Sequence, residues 1–495
     1  MTVGAEHRLS EADFRLICES GFGDGWNHYA HSMAWFEGRI YVGTTRATMA
    51  ANKWNVPRPA WHPWPVDSAE YIYDVPRQAE IWAYTPEIDQ WERLYQAPMV
   101  ASKRSSHPVP RYIGFRGMTV FQGASDTKPC LYVSTWAPML AEPPDVLRCE
   151  DGITFEPVPR PPFSPAVRSF RTLQVFNGRV HTTPTSSTAG ARRASDSLGS
   201  EATIYATDDL QSADWKAASE EGFGDPNNLT VFEMHVFDGH LYGATVNGKN
   251  GFELWKTRGG ELPYQWTRVL QHGAWRGPFN EVGVSLCEFN GALYIGTGIL
   301  NGGYHRAFDL GPAAAELIRV WPDDSWELLM GDPRLTPDGI RYPLSGYSSG
   351  FDQLFNGYVW RMGVHQGYLY AGTFCWANSL PYLPMQVWPE DVLALIDRWG
   401  VDKLVRYHGG CELWRSPDGI RWEPVTRSGF GNVYNWGVRN IQSTPHGLFV
   451  ATANPFGPTI AQRQANGEWE YVPNPRGGCE VWLAKDTNPS SHETR

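Results

Sequence analysis

Charge is what this sequence has least of. Asp, Glu, Lys and Arg make up 19% of its 495 residues, against about 25% in ordinary globular chains. With 14% aromatic residues beside so little charge, the chain is not disordered, because disorder needs the opposite balance. Lys and Arg total 42 against 53 Asp and Glu, a net charge of −11. No Lys/Arg-rich run occurs, so the footprint of a nucleic-acid binder is missing. No stretch of about 20 apolar residues exists, and no membrane span is expected. Met1 to Leu16 lacks the apolar run of roughly 7–15 residues that a secretory signal needs. Seven cysteines, an odd number without C-x-x-C spacing, predict reduced thiols in a cytoplasm. No G-x-S-x-G, Walker loop, H-E-x-x-H or G-x-G-x-x-G occurs in a strand–helix setting, so no redox or nucleotide cofactor is expected.

What is abundant is punctuation: 50 Gly and 38 Pro beside 23 Trp, 22 Tyr and 22 Phe. Dense turn residues between β-rich runs predict an all-β protein rather than a helical bundle. An apolar segment, a Gly turn and Leu-Tyr-x-Gly-Thr recur as Trp35–Thr44, Val236–Tyr242, Glu288–Thr297 and Val364–Thr373, with looser copies at Val175, Thr444 and Phe121. Each copy reads as a hairpin. A third strand follows, as in Glu80-Ile81-Trp82, Phe252–Trp255, Cys411–Trp414 or Cys479–Trp482, and then a fourth such as Trp422–Val425. Four antiparallel strands repeated seven times predict a seven-bladed β-propeller forming one domain over residues 1–495. The last copy lacks a fourth strand after Trp482. Phe14–Asp24 ends in Gly-Phe-Gly-Asp as Trp215–Asp225 does, and as Trp422–Asn432 nearly does. The N-terminal segment 13–24 is therefore expected to complete the last blade and close the ring, removing two free sheet edges.

The Phe-x-Gly-x-Leu-Tyr repeats resemble those of kelch and galactose-oxidase-like propellers, without the Gly-Gly pair usual in the kelch second strand. Ser416-Pro417-Asp418-Gly419-Ile420-Arg421-Trp422 resembles the Asp-box hairpin of sialidase-type propellers, with a weaker echo at Asp151–Phe155. The resemblance implies a fold and no activity, because such rings host enzymes, lectins and scaffolds alike. Asp boxes are structural turns, so the resemblance assigns them no catalysis.

Long insertions at 46–79, 185–201, 298–315, 375–410 and 453–477 all connect the second and third strands, and are expected on one face as a lid. The first is rich in Trp and Pro, with Trp54, Trp61, Pro63, Trp64 and Pro65. The fourth should hold one amphipathic helix, Pro389 to Arg406, with Val392, Leu393, Leu395, Ile396, Trp399 and Leu404 inward. Residues entering each first strand sit at the channel mouth. They include His28, Tyr29, His31, Arg111, Arg116, Arg168, Arg171, Asn228, Glu233, Asn280, Glu281, Tyr358, Trp360, Arg361, Asn435, Trp436 and Arg439.

Guanidinium groups from separate blades suit an anion, which they grip bidentately, so Arg116, Arg171, Arg361 and Arg439 are the candidate clamp. Tyr29, Tyr358, Trp360 and Trp436 would form the aromatic wall. His28 and His31 are the candidate general acid/base groups, together with the carboxylates Glu233 and Glu281. The two imidazoles, with His235, His305 or His365, are also the candidate metal ligands, although no third ligand is fixed by spacing and no cofactor is predicted. Glu233 and Glu281 could alternatively neutralise the arginines. Cys375 is the thiol to watch. The reading is a small-molecule site, anionic or aromatic/apolar in preference, of a non-redox lyase, isomerase, cyclase or hydrolase. An interaction scaffold and a glycan-binding or glycan-cleaving propeller are the alternatives; the last needs two carboxylates roughly 5–10 Å apart, for which Glu233 and Glu281 are the pair. Oligomeric state is not legible.

Overall fold

The computed structural model describes residues 8–53, 61–67, 69–163, 166–185, 202–305, 308–383 and 390–485. It is mostly β, built of antiparallel pairings. No described helix is long and apolar enough to cross a membrane. Four-stranded meanders succeed one another along the chain. The first runs Asn27–Phe36, Arg39–Arg46, Glu80–Thr85 and Gln90–Gln96, each strand paired to the next. The same order holds for Gly114–Phe121 to Glu156–Pro157, for Gln174–Phe176 to Lys216–Ala217 and for Thr230–Phe237 to Thr267–Leu270. It continues in Val282–Phe289 to Trp326–Met330 and Asn356–His365 to Glu423–Thr426. The last comprises Gly437–Thr444, Gly447–Ala453 and Val481–Ala484, whose outer partner is Phe14–Cys18 in the register Phe14↔Ala484.

The hairpins follow from their turn residues. Glu37-Gly38, Asn177-Gly178, Asp238-Gly239, Asn290-Gly291 and Gln366-Gly367 all hold positive φ at both positions. That is the geometry whose twist matches two paired strands. Single bridges tie the second strand of one meander to the first of another, as in Thr45↔Gly114, Trp136↔Ser169, Val246↔Val282, Gly298↔Tyr358 and Phe374↔Gly437. Ala453 of the last meander bridges Tyr29 of the first.

A side-chain knot recurs at the start of five third strands. Glu80, Glu253, Glu316, Glu412 and Glu480 are buried, and each accepts from the Nδ2 of an asparagine at 2.6–2.8 Å: Asn27, Asn228, Asn280, Asn356 and Asn435. The same asparagines donate to the carbonyls of Gly21, Gly222, Gly273, Gly350 and Gly429. Those glycines adopt positive φ, and so does the residue after each, Phe in four of the five. Phe22, Phe223, Phe351 and Phe430 stack on Trp82, Trp255, Trp414 and Trp482 at 4.4–4.8 Å. Each of those indoles donates to its knot carboxylate. Arg93, Arg268, Arg334 and Arg427 complete the ion pairing at 2.8–2.9 Å. The Gly-Phe-Gly repeat is therefore a loop that clamps one meander's carboxylate, and Asn228, Asn280 and Asn435 belong to it rather than to a mouth.

The insertions interlock. The backbone of His62 donates to Tyr382 O at 2.8 Å, and Trp61 stacks on the Tyr382 ring. Tyr382 Oη donates to Ala461 O at 3.0 Å, Ala461 N to Pro65 O at 2.9 Å and Tyr471 Oη to Trp64 O at 2.8 Å. Segments 46–79, 375–410 and 453–477 thus share one apolar cluster, which includes Trp436. Trp54, Pro389 and most of the 185–201 insertion lie outside the described residues. The expected single helix is two, Glu390–Trp399 and Val401–His408, broken where Gly400 takes φ 78°. Val392, Ile396 and Leu404 are buried as expected, but Trp399 beside the break is 51% exposed.

Replacing Asn280 by Ala leaves the Glu316 carboxylate short of a buried partner, and should cost about 3 kcal/mol. Urea denaturation reads it; a change under about 1 kcal/mol would mean that the knot does not hold the meander.

Candidate functional site

The first strands are irregular at equivalent places. Between Ala30 and Ser32 the register slips by one residue, as it does between Phe115 and Gly117, Val231 and Glu233, Gly283 and Ser285, Val359 and Arg361, and Val438 and Asn440. The extra residues are His31, Arg116, Phe232, Val284, Trp360 and Arg439. In the third meander Arg171 occupies the break between the strands Ser169–Phe170 and Gln174–Phe176. A β-bulge re-aims one side chain out of the ladder, so this series places seven side chains in one neighbourhood. Spacing along an ideal strand cannot find it, because the alternation of faces fails at a bulge.

The four candidate arginines converge. His31 feels Arg439, Arg116, Arg171 and Arg361, and burial together with these charges holds its imidazole well below its ordinary pKa. It is therefore neutral near pH 7. Its Nδ1 lies 2.6 Å from Thr45 Oγ1, and its Nε2 makes no hydrogen bond among the described residues. Arg361 pairs with Glu233 at 3.6 Å, with side chains 27% and 11% exposed. Burial holds the Glu233 carboxyl above its ordinary value despite Arg361, Arg439 and Arg171. Arg116 donates to Ser169 Oγ at 2.7 Å. The guanidinium groups of Arg171 and Arg439 make no hydrogen bond and no ion pair among the described residues, and the Nε of each is buried. Burial pushes both down to about 9, Arg439 further aided by Arg361 and Arg116, and it lowers Arg116 strongly. A guanidinium does not surrender its proton in a protein. The pressure is therefore a cost of keeping the charge in place, and an anion would relieve it.

Aromatic faces hold three of these cations: Arg116 over Trp136 at 5.2 Å, Arg171 over Phe232 at 3.9 Å and Arg439 over Trp360 at 5.2 Å. Tyr29 meets Trp360 edge-on at 6.1 Å and Trp436 at 6.3 Å, which links the arginine cluster to the roof. Tyr29, Arg116, Arg171, Trp360, Arg361 and Arg439 are all half-buried, enclosed yet retaining accessible surface. Trp136 and Phe232 are the parts of this site that the sequence reading missed; only the bulge series signals Phe232.

Other expected site residues are committed elsewhere. His28 is fully buried, with Nδ1 3.1 Å from Thr48 Oγ1 and Nε2 3.0 Å from Gly457 O, so it neither handles protons for a ligand nor has a nitrogen left for a metal. Glu281 is fully buried, accepting from Leu300 N at 2.9 Å and lying 2.5 Å from His305 Nδ1. Its two oxygens are thus engaged by the 298–315 insertion. His235 accepts from Glu288 N, and His365 Nδ1 contacts Ser443 Oγ. Among the described residues no group of three or more His, Cys, Asp or Glu is placed to hold a metal ion. Tyr358 lends its ring to the wall against Phe374, while its hydroxyl accepts from Gly302 N at 2.7 Å. Arg111 is spent on Asp145 and the carbonyls of Glu142 and Pro143, and Arg168 on those of Ala166, Pro138 and Ala141. Cys375 is buried, donates to His408 O and is pushed far up by burial. Asp418 and Asp151 accept from backbone N–H groups two and three residues on, which makes both of them turn residues.

The chain matches no protein-family model and no curated protein. Among solved structures it is similar to a Mycobacterium tuberculosis puromycin-hydrolyzing peptidase (10% identity, TM-score 0.37, 88% of this chain and 61% of that one). It is similar to a puromycin hydrolase (11%, 0.43, 96% and 57%) and to the virginiamycin B lyase of Staphylococcus aureus (8%, 0.36, 78% and 98%). The chain thus spans about three fifths of the length of either puromycin-cleaving enzyme.

Burial lowers His28 to about 3, and His181 and His235 to about 4. Above pH about 6.5 these imidazoles are neutral in both folded and unfolded chains. Below it the unfolded chain takes up protons that the folded one refuses. Each residue should then withdraw up to about 1.4 kcal/mol of stability per pH unit down to its folded value. Thermal melts at pH 7.5 and 5 should separate, and His28→Gln should narrow the gap. Equal melting temperatures would contradict the burial of these rings.

Proposed function

We propose that the successive meanders are seven blades of a closed propeller, with Phe14–Cys18 completing the seventh, and that the protein binds a small anion at the ring's axis. The pairing of Phe14–Cys18 with Val481–Ala484 and the bridge Tyr29↔Ala453 support closure. One observation carries the site: Arg171 and Arg439 have no acceptor among the described residues, although both are enclosed by protein. Such unpaired cations destabilise a fold by several kcal/mol, and their persistence is what ligand binding explains. Arg116, Arg171, Arg361 and Arg439 clamp the anion, while Trp360, Trp436, Tyr29 and Tyr358 wall it. The interlocked insertions favour an enclosed small molecule over the open aromatic face that a scaffold would need.

His31 is the group we assign to proton transfer, in a non-redox reaction of the lyase, isomerase, cyclase or hydrolase kind. It is neutral, sits among the cations and offers Nε2. An arriving anion offsets the arginine charges and raises the basicity of His31 when a substrate is present. A glycan-cleaving version of the site would need Glu281 released from Leu300 and His305 to act beside Glu233.

Arg439→Met tests the assignment through two opposite readouts. Stabilisation by added carboxylate or phosphate should disappear, and the unliganded variant should be about 1 kcal/mol more stable than the parent, because an unpaired cation is gone. A variant that is destabilised and still stabilised by anions would make Arg439 structural.

A further inference from the structure

We propose that the ligand of this well is a compact anion carrying two or more negative charges: a di- or tricarboxylate, or a phosphate ester. The inference rests on the anion-binding reading above and goes on to its valence. Among the described residues four guanidinium groups meet one carboxylate, Glu233, and their sole ion pair is Arg361–Glu233. A monocarboxylate brings a single negative charge, so that even with Glu233 it would leave two of the four guanidinium charges uncompensated. The cations also approach from different directions. Arg361 and Arg439 come from the sixth and seventh meanders, Arg116 and Arg171 from the second and third, with His31 of the first between the two pairs.

The manner of holding points the same way. Arg116, Arg171 and Arg439 lie over the rings of Trp136, Phe232 and Trp360, which accept none of their N–H groups, so those donors are still available to carboxylate or phosphate oxygens. An aromatic ring holds a cation near it without neutralising its charge. The opposite arc is different in kind: the bulge residues of the fourth and fifth meanders are Phe232 and Val284, the latter in an apolar cluster with Val246, Val282 and Tyr358. The site is thus one-sided, with a polycationic arc facing an apolar one.

Calorimetric titration of the full chain at constant ionic strength tests this with acetate, succinate, citrate, inorganic phosphate and pyrophosphate. Succinate, citrate or the phosphates should bind at least about tenfold more tightly than acetate, and should weaken more steeply with added salt. A preference for the carboxylates or for the phosphates identifies the head group, and either preference agrees with the proposal. Acetate binding as tightly as every polyvalent anion would overturn polyvalency and leave anion binding standing. If no anion of any valence bound, the anion-binding reading itself would fall.

Discussion

A buried carboxylate at the head of the third strand is the constraint on which the rest depends. A glutamate taken out of water is tolerated only with its oxygens occupied and its charge paired. In five meanders the occupants are the same: an asparagine amide and an arginine, which for Glu480 is Arg476 at 3.5 Å, with an indole N–H in four of them. The asparagine must also reach a loop carbonyl, which requires a left-handed glycine, and in four meanders that loop lays a phenylalanine on the indole. The scattered regularities of Asn, Gly-Phe-Gly, Glu-x-Trp and Arg are one interaction seen from different residues. The knot ties each loop to the head of a third strand, so the inner strands are positioned by it and not by their own pairing alone.

Rigid inner strands make the bulges consequential. An extra residue in a pinned ladder cannot be absorbed by sliding, so its side chain is expelled from the pleat. At equivalent heights those side chains are a histidine, three arginines counting the strand break at Arg171, two aromatics or apolar residues on one side and Trp360 on another. Mutual repulsion among the cations is sustained because the scaffold is stable for independent reasons. Stability and a destabilised cluster of cations coexist by being built from different residues of the same strands.

Several particulars were readable in the sequence. Trp82, Trp255, Trp414 and Trp482 announced themselves as core by recurring at one position, and Phe14–Cys18 by resembling the fourth strands of other copies. The convergence of Arg116, Arg171, Arg361 and Arg439 was inferred from their equivalent places in the repeat. His28 was not separable from His31 in this way. Both are bulge residues three apart, yet one is locked between Thr48 and Gly457 and the other faces the arginines. Glu281 likewise looks like Glu233 in the chain, and is claimed by His305 and Leu300 from a distant insertion.

The sequence by itself determined the strand repeat, the hairpin turns, the stacked aromatics and the excess of arginine near the inner strands, because these depend on local propensity and on residues recurring at fixed spacing. Tertiary structure alone decided which polar groups found partners. Partner choice depends on separate loops and strands meeting at hydrogen-bond distance, some as far apart in the chain as His28 and Gly457, and on one-residue register slips that no periodicity records. Asn228 and Glu281 were absorbed by that accounting, and the Arg171 and Arg439 side chains were left with no acceptor among the described residues.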